Sequence, residues 1–221
     1  MITLKIDGRF NIDWSELRAT ELEWCVTNSF YANIPESRKQ EIFSIGDCVH
    51  SYIQHLLLWN DQLEYHQVLL SSLTDQRIDL VKYRELALQK MPAFELIEQK
   101  YKIFVEWDNG QISFSWTADA IWVDWNMYDI KCSSKKRPPS KVKSSKQKIY
   151  YTALRALLTW DMVPRTFSYC IFTKEEKHRL FVETELMSPE ECIEILKDDI
   201  LLRLEMNGKR EIQHVTLNWF I

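Results

Sequence analysis

Residues 117–151 constrain the fold of this chain more strongly than any other segment. From Gln111 onward, apolar residues alternate with other residue types, and Asp108-Asn109-Gly110 comes directly before this alternation. Strict alternation is typical of a β-strand, and an Asn-Gly turn is typical of a tight hairpin. The sequence therefore predicts a strand over 94–107, a hairpin turn, a second strand from Gln111, and a third strand over 127–132.

Three charged side chains lie on these strands. The alternation turns Asp119 away from the apolar face of its strand, and Asp129 and Lys131 share one face with Ile130 opposite. Two carboxylates on neighbouring strands are the minimum set for binding a hard cation such as Mg²⁺. A lysine beside them can orient the attacking water or stabilise a developing oxyanion. The alternative is a polar Asp119 on a solvated face and an exposed Asp129–Lys131 salt bridge.

Two predicted helices contribute further polar candidates. Residues 37–59 have an amphipathic pattern that places His50 at the edge of the apolar face, with Gly46 one turn earlier. Glycine at that position suggests a close approach of another part of the structure. A helix over 144–159 carries Gln147 and Tyr151 on one side. The alternatives are a histidine at the rim of a packed helix, and ordinary helix surface and core for Gln147 and Tyr151.

The remaining pattern indicates one α/β domain over 1–221, with 1–60 as an N-terminal helical part and 94–160 as the core. Asp13 or Ser15 is a candidate helix cap, and Ser188 with Glu191 forms a capping box before a further helix. The other predicted elements are a strand over 2–7, a helical region over 62–90 stopped by Pro92, a hairpin of 167–172 with 180–186, and a strand over 212–220.

The charge distribution indicates an anionic partner at one place. The net charge is −4, yet residues 131–148 contain eight basic residues and no acid, which leaves 20 basic against 32 acidic residues elsewhere. Such segregation suits local phosphate binding, although a solvated lysine-rich loop is an equal alternative. The eight residues are Lys131, Lys135, Lys136, Arg137, Lys141, Lys143, Lys146 and Lys148.

Composition excludes several classes of protein. The five cysteines are scattered without a C-x-x-C pair, which argues against a zinc knuckle or a disulfide framework. No run approaches the roughly 18 apolar residues of a membrane span, and the first residues lack the features of a signal peptide. We expect a cytoplasmic protein from a bacterial, phage or viral setting.

Taken in order, these motifs resemble the PD-(D/E)XK nuclease superfamily, and within it the RecB-like exonuclease branch. Gly46 and His50 are similar to its G-x-x-x-H motif and Asp119 to the aspartate of its second motif. Asp129-Ile130-Lys131 matches (D/E)-x-K, and Gln147 to Tyr151 matches Q-x-x-x-Y. The resemblance covers about residues 46–151. It departs from the family where Trp116 replaces the glycine that usually comes three residues before the second-motif aspartate.

The resemblance implies a restriction-endonuclease-like core, in which a central mixed β-sheet is flanked by helices. It implies that His50, Asp119, Asp129 and the backbone carbonyl of Ile130 hold the metal, with Asp119, Asp129 and Lys131 as the catalytic residues. It also implies that Gln147 and Tyr151 contact DNA near the site. Glu98 or Glu95 is a candidate for a further carboxylate acting through water.

We therefore expect a Mg²⁺- or Mn²⁺-dependent DNA nuclease, acting as an exonuclease on duplex ends or single strands in replication, recombination or repair. The basic segment would hold the phosphate backbone. The cysteine spacing predicts no iron–sulfur cluster, and a helicase or recombination partner would be a separate chain. The alternatives are a nuclease fold that only binds nucleic acid or docks in a complex, and an endonuclease.

Overall fold

A computed structural model describes residues 2–7, 16–18, 35–73, 78–122, 126–133, 145–173, 178–207 and 214–219. These residues form eight strands and five helices. The strands are β1 (Ile2–Asp7), β2 (Glu16–Arg18), β3 (Leu96–Trp107), β4 (Gly110–Trp122), β5 (Asn126–Ser133), β6 (Arg165–Thr173), β7 (Leu180–Met187) and β8 (His214–Trp219). The helices are α1 (Glu36–Leu57), α2 (Leu63–Ser71), α3 (Leu80–Lys90), α4 (Gln147–Thr159) and α5 (Pro189–Asn207).

The described strands form a single mixed sheet. Its order is β7-β6-β5-β4-β3-β1-β8, with β2 beside β4. The pairs β1–β3, β2–β4 and β5–β6 are parallel, and the pairs β1–β8, β3–β4, β4–β5 and β6–β7 are antiparallel. A parallel pair of successive strands needs a crossover connection, and α4 lies in the one between β5 and β6. The predicted α/β class with a central mixed sheet is confirmed.

Helices cover both faces of this sheet. In β6, Phe167, Tyr169 and Ile171 belong to a core that includes Leu154 of α4, whereas the alternating residue Phe172 belongs to a second core. That second core contains residues of α1 and α3. Because successive side chains of a strand point to opposite faces, α4 and α5 pack on one side and α1 and α3 on the other. No helix among the described residues is long and apolar enough to cross a membrane.

The predicted helical region over 62–90 consists of two helices, because α2 ends at Ser71 and α3 begins at Leu80. Asp79 caps the start of α3, since its carboxylate accepts a hydrogen bond from the backbone nitrogen of Lys82 at 3.1 Å. A side-chain cap satisfies one of the unpaired N–H groups at a helix start. Aspartate is a common helix cap, so Asp79 marks the start of a new helix in the sequence. The apolar periodicity alone does not show this boundary.

The predicted hairpins and outer strands are confirmed. Trp107 pairs with Gly110 across the β3–β4 turn, and a Cβ at Gly110 would lie 2.8 Å from the indole nitrogen of Trp107, which explains the glycine. Strands β6 and β7 form the second hairpin, and β1 and β8 pair at one edge of the sheet. The candidate caps Asp13 and Ser15 lie outside the described residues, and residues 16–18 form a short strand.

Trp116 is the centre of an aromatic stack that ties β3, β4 and α4 together. Its ring lies 4.6 Å from that of Tyr101 and 4.6 Å from that of Tyr151, in both cases nearly parallel. Such offset pairs contribute more than burial of their area alone. Trp116 therefore packs against Tyr151 on the face of the sheet opposite to α1.

Acidic residues of β7 and α5 bind the first turn of α4. Lys146 donates to both carboxylate oxygens of Asp199 at 2.7 Å, and the hydroxyl of Tyr150 donates to the same carboxylate at 2.7 Å. Lys148, which is buried, forms an ion pair with Glu185. Tyr150 is fully buried, so its ring is not available to stack on bases.

Removing the hydroxyl in Tyr150→Phe is expected to lower the free energy of unfolding by about 1–2 kcal/mol, since a buried hydrogen bond to a charged group is lost while Lys146 still neutralises Asp199. Urea denaturation measures the difference. The control is Tyr65→Phe on the exposed face of α2, for which we expect a change below about 0.5 kcal/mol. Equal effects of the two substitutions would show that the Asp199 bond contributes nothing to stability.

Candidate active site

The site lies where the ladder between β4 and β5 stops. Among the backbone pairs between β4 and β5, the pair that lies next to the site is Ala120 with Tyr128. Extending the same register by one residue places Asp119 opposite Asp129, although no backbone pairing continues there. Two carboxylates on adjoining strands therefore face a gap in the main-chain hydrogen bonding. The sequence predicted that these two carboxylates lie on neighbouring strands.

The Asp119 side chain occupies part of this gap. Its Oδ2 accepts a hydrogen bond from the backbone nitrogen of Ile130 at 2.9 Å, so the carboxylate takes the place of a strand carbonyl. The same oxygen lies 3.4 Å from Nε2 of His50 in α1. The side chain of Asp119 is only 14% exposed. Helix α1 and strands β4 and β5 thus meet at one carboxylate oxygen.

Asp129 and Lys131 form an ion pair on the same face of β5. The ammonium nitrogen of Lys131 donates to Oδ1 of Asp129 at 2.8 Å, and the Asp129 side chain is 1% exposed against 27% for Lys131. The second carboxylate oxygen of Asp129, Oδ2, is buried without a hydrogen-bond partner among the described residues. Burial rules out the solvated surface salt bridge that was the alternative interpretation of this pair.

The pKa values of the two carboxyl groups are raised. Burial raises the pKa of Asp129 to about 6, even though Lys131 opposes the shift, and the nearby Asp119 carboxylate raises it further. Burial also raises the pKa of Asp119, against the attraction of Lys131 and the hydrogen bond from Ile130. Carboxyl groups that are held close together in a desolvated cleft are typical of sites where a cation offsets their charge.

His50 is kept neutral by the same environment. Burial lowers the pKa of its imidazole, and the positive charge of Lys131 lowers it further, although Asp129 acts in the opposite direction. Neutral imidazole is the form that ligates metals. The sequence suggested a close approach at Gly46, and no atom of the described residues lies within 4 Å of where its Cβ would be.

The donor set fits a divalent cation in its chemistry. Two polar atoms here are buried without a hydrogen-bond partner among the described residues, namely Nε2 of His50 and Oδ2 of Asp129. Buried polar atoms that lack partners are rare and require an explanation such as an ion. No three His, Cys, Asp or Glu side chains in the described part of the chain already form a closed ligand set. Binding by His50, Asp119 and Asp129 together therefore requires these side chains to move closer.

The residues predicted to contact nucleic acid differ in their burial and in their bonding partners. Gln147 is the first residue of α4 and is half-buried, whereas Tyr151 is 7% exposed and packs on Trp116. Lys146 donates to both carboxylate oxygens of Asp199. Lys135, Lys136, Arg137, Lys141 and Lys143 lie outside the described residues.

Gln54 is a site residue that the sequence did not reveal. Its amide nitrogen donates to the main-chain oxygen of Asp119 at 2.6 Å and to Oε1 of Glu98 at 2.8 Å. Glu98 therefore lies beside the site through this bond, and the side chains of both Glu98 and Glu95 are exposed. The signal available in the sequence was the four-residue step from His50 to Gln54, which places both side chains on one side of α1.

No protein-family profile and no curated protein matches this chain. Two solved structures show a distant likeness. One is a protein named SSO0001, which is 14% identical with a TM-score of 0.39, over 87% of this chain and 78% of that one. The other is named "Putative exonuclease" and comes from Eubacterium rectale; it is 12% identical with a TM-score of 0.43, over 76% of this chain and 71% of that one.

Proposed function

We propose that this chain is a divalent-metal-dependent DNA nuclease that hydrolyses phosphodiester bonds. The observation that carries the proposal is the meeting of His50, Asp119, Asp129 and Lys131 at the gap between β4 and β5. An imidazole, two buried carboxylates and an ammonium group form a combination that suits phosphoryl chemistry. The imidazole and the carboxylates would bind the metal, and the ammonium group would act on the water or the phosphate.

Three side chains would hold the cation, Mg²⁺ or Mn²⁺. His50 offers a neutral nitrogen, and Asp119 and Asp129 offer carboxylate oxygens, with the carbonyl of Ile130 as a further ligand by resemblance. A bound divalent cation offsets charge on the phosphate and makes hydroxide available near neutral pH. Because the pKa values of both carboxyl groups are raised by burial, a cation would favour their ionised forms.

Lys131 is the candidate for orienting the attacking water or stabilising charge on the phosphate oxygens. Its ammonium group is already fixed 2.8 Å from Asp129, so it need not be immobilised at the moment of reaction. A preorganised donor in a site of low dielectric stabilises developing charge much more than it would in water. Its partial exposure, 27% of the side chain, leaves it accessible from solvent.

Substrate contact is assigned to Gln147 and to the basic segment 131–148, apart from Lys146 and Lys148, which pair with Asp199 and Glu185. The segregation of charge that singles out this segment favours a polyanion at one place on an otherwise acidic chain. An exonuclease acting on DNA ends or single strands in replication, recombination or repair is the activity that we infer for the site, by resemblance to the RecB-like branch. A nuclease fold without catalysis is the main competing function.

One assay tests the proposal and separates these alternatives. Single strands and duplexes labelled at the 5′ or the 3′ end, and closed circular DNA, are incubated with the purified chain and Mn²⁺, with and without chelator. We expect release of short products from linear DNA, abolished by chelator. Defined internal cuts in circles would instead indicate an endonuclease. DNA binding that ignores metal, without cleavage of any substrate, would reject catalysis.

A further inference from the structure

Gln54 connects the helix that carries His50 to both strands beside the site. It lies four residues after His50 in α1 and is only 2% exposed. Its Nε2 donates to the main-chain oxygen of Asp119 at 2.6 Å and to Oε1 of Glu98 at 2.8 Å. A side-chain amide nitrogen carries two hydrogens, and each is used in one of these bonds. The amide therefore holds β3, β4 and α1 together at one point.

Glu98 has an unusual backbone conformation at this point. Its neighbours Ile97 and Gln99 pair with Ala120 and Ala118, so the register places Glu98 opposite Asp119. The φ angle of Glu98 is 50°, in the left-handed region that residues other than glycine rarely adopt. Such a conformation persists only where the surrounding structure holds it. The bond from Gln54 to the carboxylate is one contact that does so.

We propose that Gln54 is a positioning residue, which fixes Asp119 relative to His50 by binding the main chain of Asp119 and the side chain of Glu98. This inference rests on the proposed nuclease function. Gln54 bonds the backbone of Asp119 rather than its carboxylate, so it acts through Asp119 and not on the reacting phosphate. The 3.4 Å separation of His50 and Asp119 depends on how α1 lies against β4, and Gln54 sets that arrangement.

The identity of the side chain matters for this role. Both acceptors are oxygens, so the residue at 54 must supply two hydrogens from a short, neutral and buried group, and glutamine does so. Glutamate has nearly the same shape but donates neither bond, and it would place a second carboxylate beside Glu98. Partners that orient metal ligands typically change metal affinity or activity by about 10–100-fold when they are substituted.

The test compares Gln54→Glu and Gln54→Leu with the wild type. Initial cleavage rates of a labelled single-stranded oligonucleotide are measured across a Mn²⁺ titration. We expect the Mn²⁺ concentration for half-maximal rate to rise about 10–100-fold in both variants. We expect KM for the oligonucleotide to stay within about twofold, because ligand geometry and not substrate binding is altered. The matched control is Gln89→Leu on the exposed face of α3, for which we expect wild-type behaviour.

A swapped pair separates positioning from a general loss of structure. In Gln54→Glu combined with Glu98→Gln, the total charge is unchanged and an amide again faces a carboxylate between α1 and β3, with the donor reversed. Only the bond to the main-chain oxygen of Asp119 stays lost. We expect this double variant to recover part of the Mn²⁺ affinity that Gln54→Glu loses, which a double-mutant cycle quantifies.

The outcomes distinguish this inference from the proposed function. If the wild type shows no metal-dependent cleavage, the nuclease assignment fails and the role of Gln54 fails with it. If the wild type cleaves and the Gln54 variants need no more Mn²⁺ than the Gln89 control, the positioning role alone is wrong. Thermal unfolding is recorded for every variant. Should Gln54→Leu not fold, Gln54→Glu decides, and a Mn²⁺ requirement in that variant equal to that of the Gln89 control would overturn the inference.

Discussion

Replacing Lys131 with alanine is expected to reduce cleavage by about 10²–10⁴-fold at saturating Mn²⁺, because the substitution removes the preorganised ammonium group beside Asp129. The measurement is single-turnover cleavage of end-labelled DNA, which separates the chemical step from product release. Binding of DNA is expected to change far less than the rate, since one positive charge among eight in the segment is lost.

Two further variants control for the loss of a buried ion pair. Lys131→Met keeps most of the length of the side chain without its charge and should lose activity as Lys131→Ala does. Lys82→Ala removes an exposed lysine that pairs with Glu85 on α3, 2.9 Å away, and should cleave like the wild type. Cleavage by Lys131→Ala at the rate of Lys82→Ala would defeat the assignment of a catalytic role to Lys131.

Asp129→Asn is expected to lose activity and to gain stability when no metal is present. The Asp129 carboxyl group is 1% exposed, and burial raises its pKa to about 6. Ionising it in the folded chain therefore costs free energy that a neutral amide avoids. From the size of the shift, we expect the free energy of unfolding at pH 8 to be about 1–3 kcal/mol higher in the variant than in the wild type. Its cleavage rate should fall at least about 10²-fold.

The pH dependence of stability gives an independent check. An unfolded aspartate titrates near pH 4, so between about pH 4 and pH 6 the folded wild type binds more protons at Asp129 than the unfolded chain does. The contribution of Asp129 to the stability of the wild type should therefore become more favourable as pH falls through this window, and the advantage of Asp129→Asn should disappear near pH 4. Urea denaturation of metal-free protein at pH 8, 6 and 4 measures both trends.

The control for this pair of experiments is Asp108→Asn. Asp108 lies exposed in the β3–β4 turn, and we expect its substitution to change the free energy of unfolding by less than about 0.5 kcal/mol at each pH. An Asp129→Asn protein that is less stable than the wild type at pH 8 would mean that the Lys131 pair outweighs the cost of burying the carboxylate.

The alternation of residue types along the sequence predicted the strands and the faces on which their charged residues lie. The alternation of residue types predicted which side chains of β4 share a face. Because side chains alternate with a period of two, the strand register decides which residues of β5 lie beside them. The closeness of Asp119 and Asp129 could therefore be predicted. The approach of His50 to Asp119 required α1 to pack on a particular part of the sheet. Amphipathic periodicity predicts which face of a helix is buried and not which strand it meets.

Other features depended on long-range pairing that no local pattern indicates. Lys146 and Lys148 looked like part of a phosphate-binding run, yet each pairs with an acid from a distant element, Asp199 and Glu185. The left-handed φ of Glu98 could not be expected either, since glutamate ordinarily avoids that region. The helix cap Asp79 indicates the break between α2 and α3. The apolar periodicity on both sides of it nevertheless suggested one continuous helical region.

The stacking of Tyr151 on Trp116 affects how loss-of-function alleles of this chain should be interpreted. A missense change at Tyr151 removes a ring from the packed interior, and its first phenotype is lower abundance of folded protein, as cells degrade destabilised chains. Inactivity of such an allele says nothing about substrate contact. Gln147, in the same motif but half-buried at the start of α4, is the position at which a genetic screen would test the proposed substrate contact.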